Sequence, residues 1–178
     1  MKHIITLMAG LALASSAYAI DLQKGKAYRI VSKSMGNSST ICVGEKHYAQ
    51  PYIFSNTSYS GTCKDAFWYF EQQWDGSYAI YNAETKQYIT YTTERTNGVC
   101  KGLCLTSKDE GATSHWFIED NDDGSCILYS KADEATAKGD VYWNQRVNAS
   151  DNGLVGTYTN RYDNNSSFFI TDETVTPD

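Results

Sequence analysis

Two kinds of marker recur along this chain with one spacing. A chain built this way buries its apolar faces between copies of a unit rather than inside any one of them. The first marker is a short strand-like run after a glycine: Ala27-Tyr28-Arg29-Ile30-Val31-Ser32, Ser77-Tyr78-Ala79-Ile80-Tyr81-Asn82 and Ser125-Cys126-Ile127-Leu128-Tyr129-Ser130 follow Gly25, Gly76 and Gly124. The second run starts 50 residues after the first, and the third 48 after the second. Two of them follow Asp-Gly, a tight-turn signal between strands. The second marker is an aromatic cluster: Phe67-Trp68-Tyr69-Phe70, His115-Trp116-Phe117-Ile118 and Ser167-Phe168-Phe169-Ile170, 48 and 52 residues apart. Two independent markers with one period define three units, at about residues 24–73, 74–121 and 122–173, followed by a short tail.

Each unit holds two more strand-like runs. One is Thr40-Ile41-Cys42-Val43, Gln87-Tyr88-Ile89-Thr90 or Asp140-Val141-Tyr142-Trp143; the other is Tyr52-Ile53-Phe54, Leu103-Cys104-Leu105 or Leu154-Val155-Gly156. Four strands in each of three units make twelve, separated by Gly, Ser, Asn and Asp. With 14 Tyr, 6 Phe, 4 Trp and only 2 Pro, the composition favours pleated sheet over helix. Alternation puts Tyr28/Ile30, Tyr78/Ile80 and Cys126/Leu128 on one face, with Trp68/Phe70, Trp116/Ile118 and Phe168/Ile170. Three such faces around an axis close a core. Helix is expected only at 132–138, for a turn or two. The expected class is all-β, one domain over residues 20–178.

Residues 1–19 read as a signal peptide. Lys2 is followed by an apolar stretch from Ile4 to Ala14 and by Ala17-Tyr18-Ala19, a small-residue cleavage pattern. The stretch is shorter than the roughly 20 residues a bilayer span needs. The expectation is a secreted or periplasmic protein with no membrane insertion. A net charge of −6 without a basic stripe argues against nucleic acid as a partner.

Three four-stranded units, each closing on an aromatic cluster, resemble the β-trefoil. Within it the sequence is most similar to the ricin-B-type lectin and carbohydrate-binding group, whose units close on Gln-x-Trp. The resemblance spans residues 24 to 173. Trp68 and Trp116 match the signature tryptophan and Phe168 replaces it, while the glutamine positions hold Ala66, Ser114 and Ser166. The acid that follows the second strand in sugar-binding units is replaced by Gly44, by Tyr91 or Thr92, and by Asn144. The resemblance implies three pseudo-symmetric repeats and a lectin-like carbohydrate-binding module. Trefoils also serve as protease inhibitors, so the fold alone does not assign the function.

The chemistry-bearing residues favour binding over catalysis. After the leader only His47 and His115 remain, neither with a second ligand at a metal spacing, and no cofactor is expected. Cys100-Lys101-Gly102-Leu103-Cys104 lacks the redox spacing, and there is no Gly-x-Ser-x-Gly elbow. Glu119, Asp120, Asp122 and Asp123 crowd a turn at Gly124, where a glycosidase would need two carboxylates facing across a cleft. No enzyme is expected. Five cysteines in an exported chain allow two bridges and one thiol. Cys126 takes an inward slot and reads as a buried free thiol. The resemblance implies a Cys42–Cys63 staple; Cys100 and Cys104 are candidates for the second bridge, and Cys63 with either of them is the competing pairing.

A sugar site needs aromatic faces for C–H groups and amides for hydroxyls. The third unit is densest in both. With Val141 and Trp143 turned inward, alternation sends Tyr142 and Asn144 outward, and Tyr158 and Asn165 complete the expected ligand-binding set. The partner is then a glycan. The alternative is an extracellular protein, with a loop at 37–40 or 56–63 inhibiting an exported protease.

Overall fold

The computed structural model describes residues 21–34, 40–47, 50–56, 64–96, 100–146 and 154–172. The leader expected at 1–19, Cys63, and the two candidate inhibitory loops apart from Thr40 and Asn56 lie outside the described residues. Twelve strands form in the expected places: β1 (Ala27–Ser32), β2 (Thr40–His47), β3 (Gln50–Asn56), β4 (Trp68–Gln72), β5 (Tyr78–Asn82), β6 (Tyr88–Thr96), β7 (Cys100–Thr106), β8 (His115–Asp120), β9 (Cys126–Ser130), β10 (Tyr142–Gln145), β11 (Val155–Tyr158) and β12 (Phe168–Thr171). One six-residue helix, α1 (Asp133–Lys138), falls within the expected 132–138 segment and buries Ala135. A 3-10 turn precedes the last strand of every unit, at Lys64–Ala66, Gly111–Ser114 and Asn164–Ser166.

Antiparallel pairing closes six strands into a ring: β1 with β4, β4 with β5, β5 with β8, β8 with β9, β9 with β12, and β12 back to β1. The other six form three hairpins, β2–β3, β6–β7 and β10–β11, each attached to the first strand of its unit. Register repeats with the units. Val31 faces Thr40, Tyr81 faces Tyr88 and Tyr129 faces Tyr142, while Trp68, Trp116 and Phe168 face Tyr28, Tyr78 and Cys126. A closed barrel carrying three hairpins in threefold register is a β-trefoil.

The inward rows are those that alternation selects. Tyr28, Ile30, Trp68, Phe70, Ile80, Trp116, Cys126, Leu128, Phe168 and Ile170 are buried, and Tyr78 and Ile118 pack partly buried against them. The indoles carry the symmetry into hydrogen bonding: Trp68 Nε1 donates to the Ile41 carbonyl at 2.9 Å and Trp116 Nε1 to that of Ile89 at 2.8 Å. The third unit departs. Phe168 has no donor, and an indole appears instead at Trp143, in the place of Ile41 and Ile89. The Trp143 ring meets Trp116 at 5.3 Å and Phe168 at 6.1 Å, both edge-on. Its Nε1 is buried without an acceptor among the described residues.

The hairpins pack closely where β7 passes β11. Gly102 has φ +92, and a Cβ there would lie 1.7 Å from Thr157 Oγ1. Cys126 is a buried free thiol, and burial pushes its pKa well above the ordinary thiol range. Cys42 is buried with its Sγ donating to the Thr40 carbonyl at 3.4 Å. Cys100 and Cys104 stand at the first and fifth positions of β7. Extended chain separates such Cα atoms by roughly 13 Å, about twice what a disulfide spans. The bridge expected between those two is therefore corrected: both lie on one strand, with no turn between them to bring them together.

Candidate functional site

The four residues expected to form one sugar groove do not share one surface. Asn144 is the correction. It is 5 % exposed, and its Nδ2 donates to Ser166 Oγ at 3.0 Å and to Asp163 Oδ1 at 3.2 Å. Trp143 does turn inward and is fully buried, and Val141 packs partly buried against the core. At Asn144 the opposite side of β10, which alternation assigns to solvent, is covered by the 3-10 turn at Asn164–Ser166. The second unit makes the same link, with Thr90 Oγ1 and Ser114 Oγ 2.8 Å apart. Register places Cys42, Thr90 and Asn144 at one position, so Asn144 pins a turn to a strand. Asn165 lies half-buried between Asn144's two partners, with its backbone N–H donating to Asp163 Oδ1 at 2.8 Å.

Tyr142 and Tyr158 do come together, facing each other across β10 and β11. Tyr142 is half-buried and Tyr158 is 38 % exposed. They extend a row that the sequence reading missed. On the outer wall, Phe117 of β8 stacks on Tyr129 of β9 at 5.6 Å, and Tyr129 meets Tyr142 at 5.9 Å. The row crosses four neighbouring strands and has a cation at either end: Lys131 Nζ lies 3.9 Å from the Phe117 ring centre, and the Arg146 guanidinium 5.9 Å from that of Tyr158. Arg146 is fixed by donating to the Thr157 carbonyl at 2.7 Å. Arg161 pairs with Glu119 of β8 and sits 5.2 Å from the ring of Tyr162, which is 82 % exposed. Burial raises the pKa of the Tyr129 hydroxyl, with Glu119 adding to the shift. That phenol stays neutral at physiological pH, able both to donate and to accept.

A shorter version runs from the first unit into the second. Tyr69, Tyr81 and Tyr88 stand 5.2 and 5.1 Å apart, with Lys86 5.4 Å from the Tyr69 ring centre. Its fourth place is Thr106, opposite Tyr88. In the first unit the places of Tyr81, Tyr88 and Thr106 fall to Val31, Thr40 and Asn56. The four-ring wall is thus found once, where Phe117 of the second unit meets Tyr129, Tyr142 and Tyr158 of the third. The signal that would have located it is the outward partner of each inward residue, compared across units.

The class of protein is fixed by architecture: this chain has a β-trefoil fold. No family model matches it, and no curated protein matches it in sequence. Solved structures do. The designed threefold-symmetric protein ThreeFoil matches with a TM-score of 0.64 and 18% identity, over 83% of this chain and 99% of its own. A Polyporus squamosus lectin, solved with the epitope Neu5Aca2-6Galb1-4GlcNAc, matches with a TM-score of 0.64 and 16% identity, over 84% of this chain and 50% of its own. A GlcNAcα1-4Gal-releasing endo-β-galactosidase from Clostridium perfringens matches with a TM-score of 0.63 and 14% identity, over 84% of this chain but 33% of its own. This chain spans half the length of the lectin and a third of the enzyme.

Proposed function

We propose that the chain is an exported, non-catalytic carbohydrate-binding protein that takes its glycan on the aromatic wall shared by the second and third units. The observation that carries this reading is the pairing of Tyr142 with the exposed Tyr158 at the end of a four-strand aromatic row. Sugar rings present C–H faces to aromatic side chains, and phenol hydroxyls and Arg146 supply hydrogen bonds at the rim. Tyr158 and Tyr142 make the contact, with Asn165 at the edge; Asn144 holds the turn behind them. The solved lectin among the structural relatives supports the ligand class. The carboxylates near the wall serve other ends. Asp163 accepts from Asn144 and Asn165, and Glu119 pairs with Arg161, so neither is left as half of an opposed acid pair.

A glycan array screened beside a protease panel tests the reading. The expected result is glycan binding that weakens about tenfold in Tyr158→Ala, ~1.4 kcal/mol. Protease inhibition without glycan binding would favour the inhibitory alternative and end the proposal.

A further inference from the structure

The most exposed large hydrophobic side chain among the described residues lies on a different part of the molecule. Trp74 is 98 % exposed, whereas the other three tryptophans, Trp68, Trp116 and Trp143, are fully buried. It sits at the tip of the turn between β4 and β5. The hairpins leave the barrel from the C-terminal end of β1, and β4 runs antiparallel to β1, so this turn lies at the opposite end. The sister turn between β8 and β9 shows that the indole is not needed for folding. Gly76 N–H donates to the Gln73 carbonyl at 3.1 Å, and Gly124 N–H to that of Asn121 at 3.2 Å. Ser77 and Ser125 hydroxyls each bond an aspartate Oδ1 at 2.6 Å. Where the first turn has Trp74, the second has Asp122. An indole that touches almost nothing in its own protein leaves both faces open to a partner.

Beside that turn runs a groove of about 450 Å³, lined by Leu22, Lys24, Phe70, Glu71, Gln72 and Gln73. That volume falls in the range of small-ligand sites, roughly 300–1,000 Å³. Its far wall is held in place, since Tyr28 Oη donates to the Asp21 carbonyl at 3.1 Å and accepts from Gln23 N–H at 2.8 Å. The lining combines two amides with one cation and one anion that offset each other, which suits a neutral polyhydroxylated ligand. The turn also carries Asp75 beside the indole, a carboxylate that makes it a poor seat for an anionic bilayer.

We propose that Trp74 and this groove form a second carbohydrate site, at the barrel end away from the aromatic wall, taking a short neutral oligosaccharide whose C–H face lies on the indole. The proposal shares the glycan-binding reading above but uses none of its residues, so the two fail separately. Because the other indoles are buried, acrylamide quenching of tryptophan fluorescence reports on Trp74. The probes are cellotriose, chitotriose, mannotriose and N-acetyllactosamine, with affinities read by titration calorimetry on the protein, Trp74→Asp, Gln73→Ala and Tyr158→Ala and quenching read where Trp74 is present; Trp74→Asp copies the sister turn and keeps the fold. At least one probe should protect Trp74, lowering the quenching constant about threefold. It should bind at least tenfold more weakly to Trp74→Asp and more weakly to Gln73→Ala, with protection retained in Tyr158→Ala. Wild-type affinity of Trp74→Asp for every probe would overturn the proposal, as would unchanged quenching with all four. Protection by phosphatidylcholine vesicles and by no sugar would overturn it in favour of a lipid surface. Protection that survives in Tyr158→Ala together with an array signal unaffected by that substitution would leave this site standing and remove the wall.

Discussion

Asn144 and Trp143 are neighbours on one strand, and what surrounds each decides what its replacement does. Asn144 is buried with two side-chain partners. Asn144→Ala should therefore leave the Ser166 hydroxyl and Asp163 short of a donor and cost about 1–3 kcal/mol of stability, measured by urea denaturation, while glycan affinity in the remaining folded protein stays near wild type. Trp143 carries the indole that Phe168 lacks. Phe168→Trp alone overfills the core, at about 1–3 kcal/mol, and Trp143→Ile alone leaves a cavity costing roughly 2–4 kcal/mol. Together they rebuild the arrangement of the first two units, with an indole N–H free to reach the strand carbonyl. A double-mutant cycle should show the pair costing less than the sum of the singles, by more than about 1 kcal/mol.

Elements were legible where a repeat or an alternation marked them, and illegible where one element covers another. All four strands of every unit could be placed because glycine turns and aromatic clusters bracket them. The 3-10 turns at Lys64–Ala66, Gly111–Ser114 and Asn164–Ser166 have no periodicity to announce them. They hide the outer side of the hairpin strands, and so the period-2 rule that correctly sent Trp143 inward sent Asn144 to solvent wrongly. Tyr142 and Tyr158 were readable from composition, whereas Phe117 and Tyr129 join them only through ring contacts between strands, 12 and 13 residues apart in sequence. Hairpin packing makes its own prediction. Gly102→Ala meets both a φ of +92 and Thr157 at 1.7 Å, so it should destabilise the fold by more than about 2 kcal/mol. Gly102→Ala in a Thr157→Ser background should recover part of that loss, read from the two thermal melts.

At the scale of the whole molecule, the barrel is a ring whose members come in three equivalent sets, and the period in the sequence was enough to anticipate it. What the protein binds was not written in that period, because a ligand would be chosen by outward residues that the repeat does not constrain. The ring also has a seam. Between β12 and β1 the register runs from Arg29↔Thr171 to Ser32↔Phe168, and Lys26 pairs with Asp172, so the described ends of the chain meet at one place on the barrel. The same ladder hydrogen bonds join units that share a peptide link and units that do not. Covalent order is therefore only one of three possible starting points for the same circle. A rearranged gene that joins residue 172 to residue 21 through a short glycine linker and opens the chain between Trp74 and Asp75 should yield the same far-ultraviolet circular dichroism. Its stability should fall by no more than about 3 kcal/mol, since cuts at exposed turns are the tolerated ones. In such a protein the second unit would leave the ribosome first, and the strand now closing the ring last would be β4.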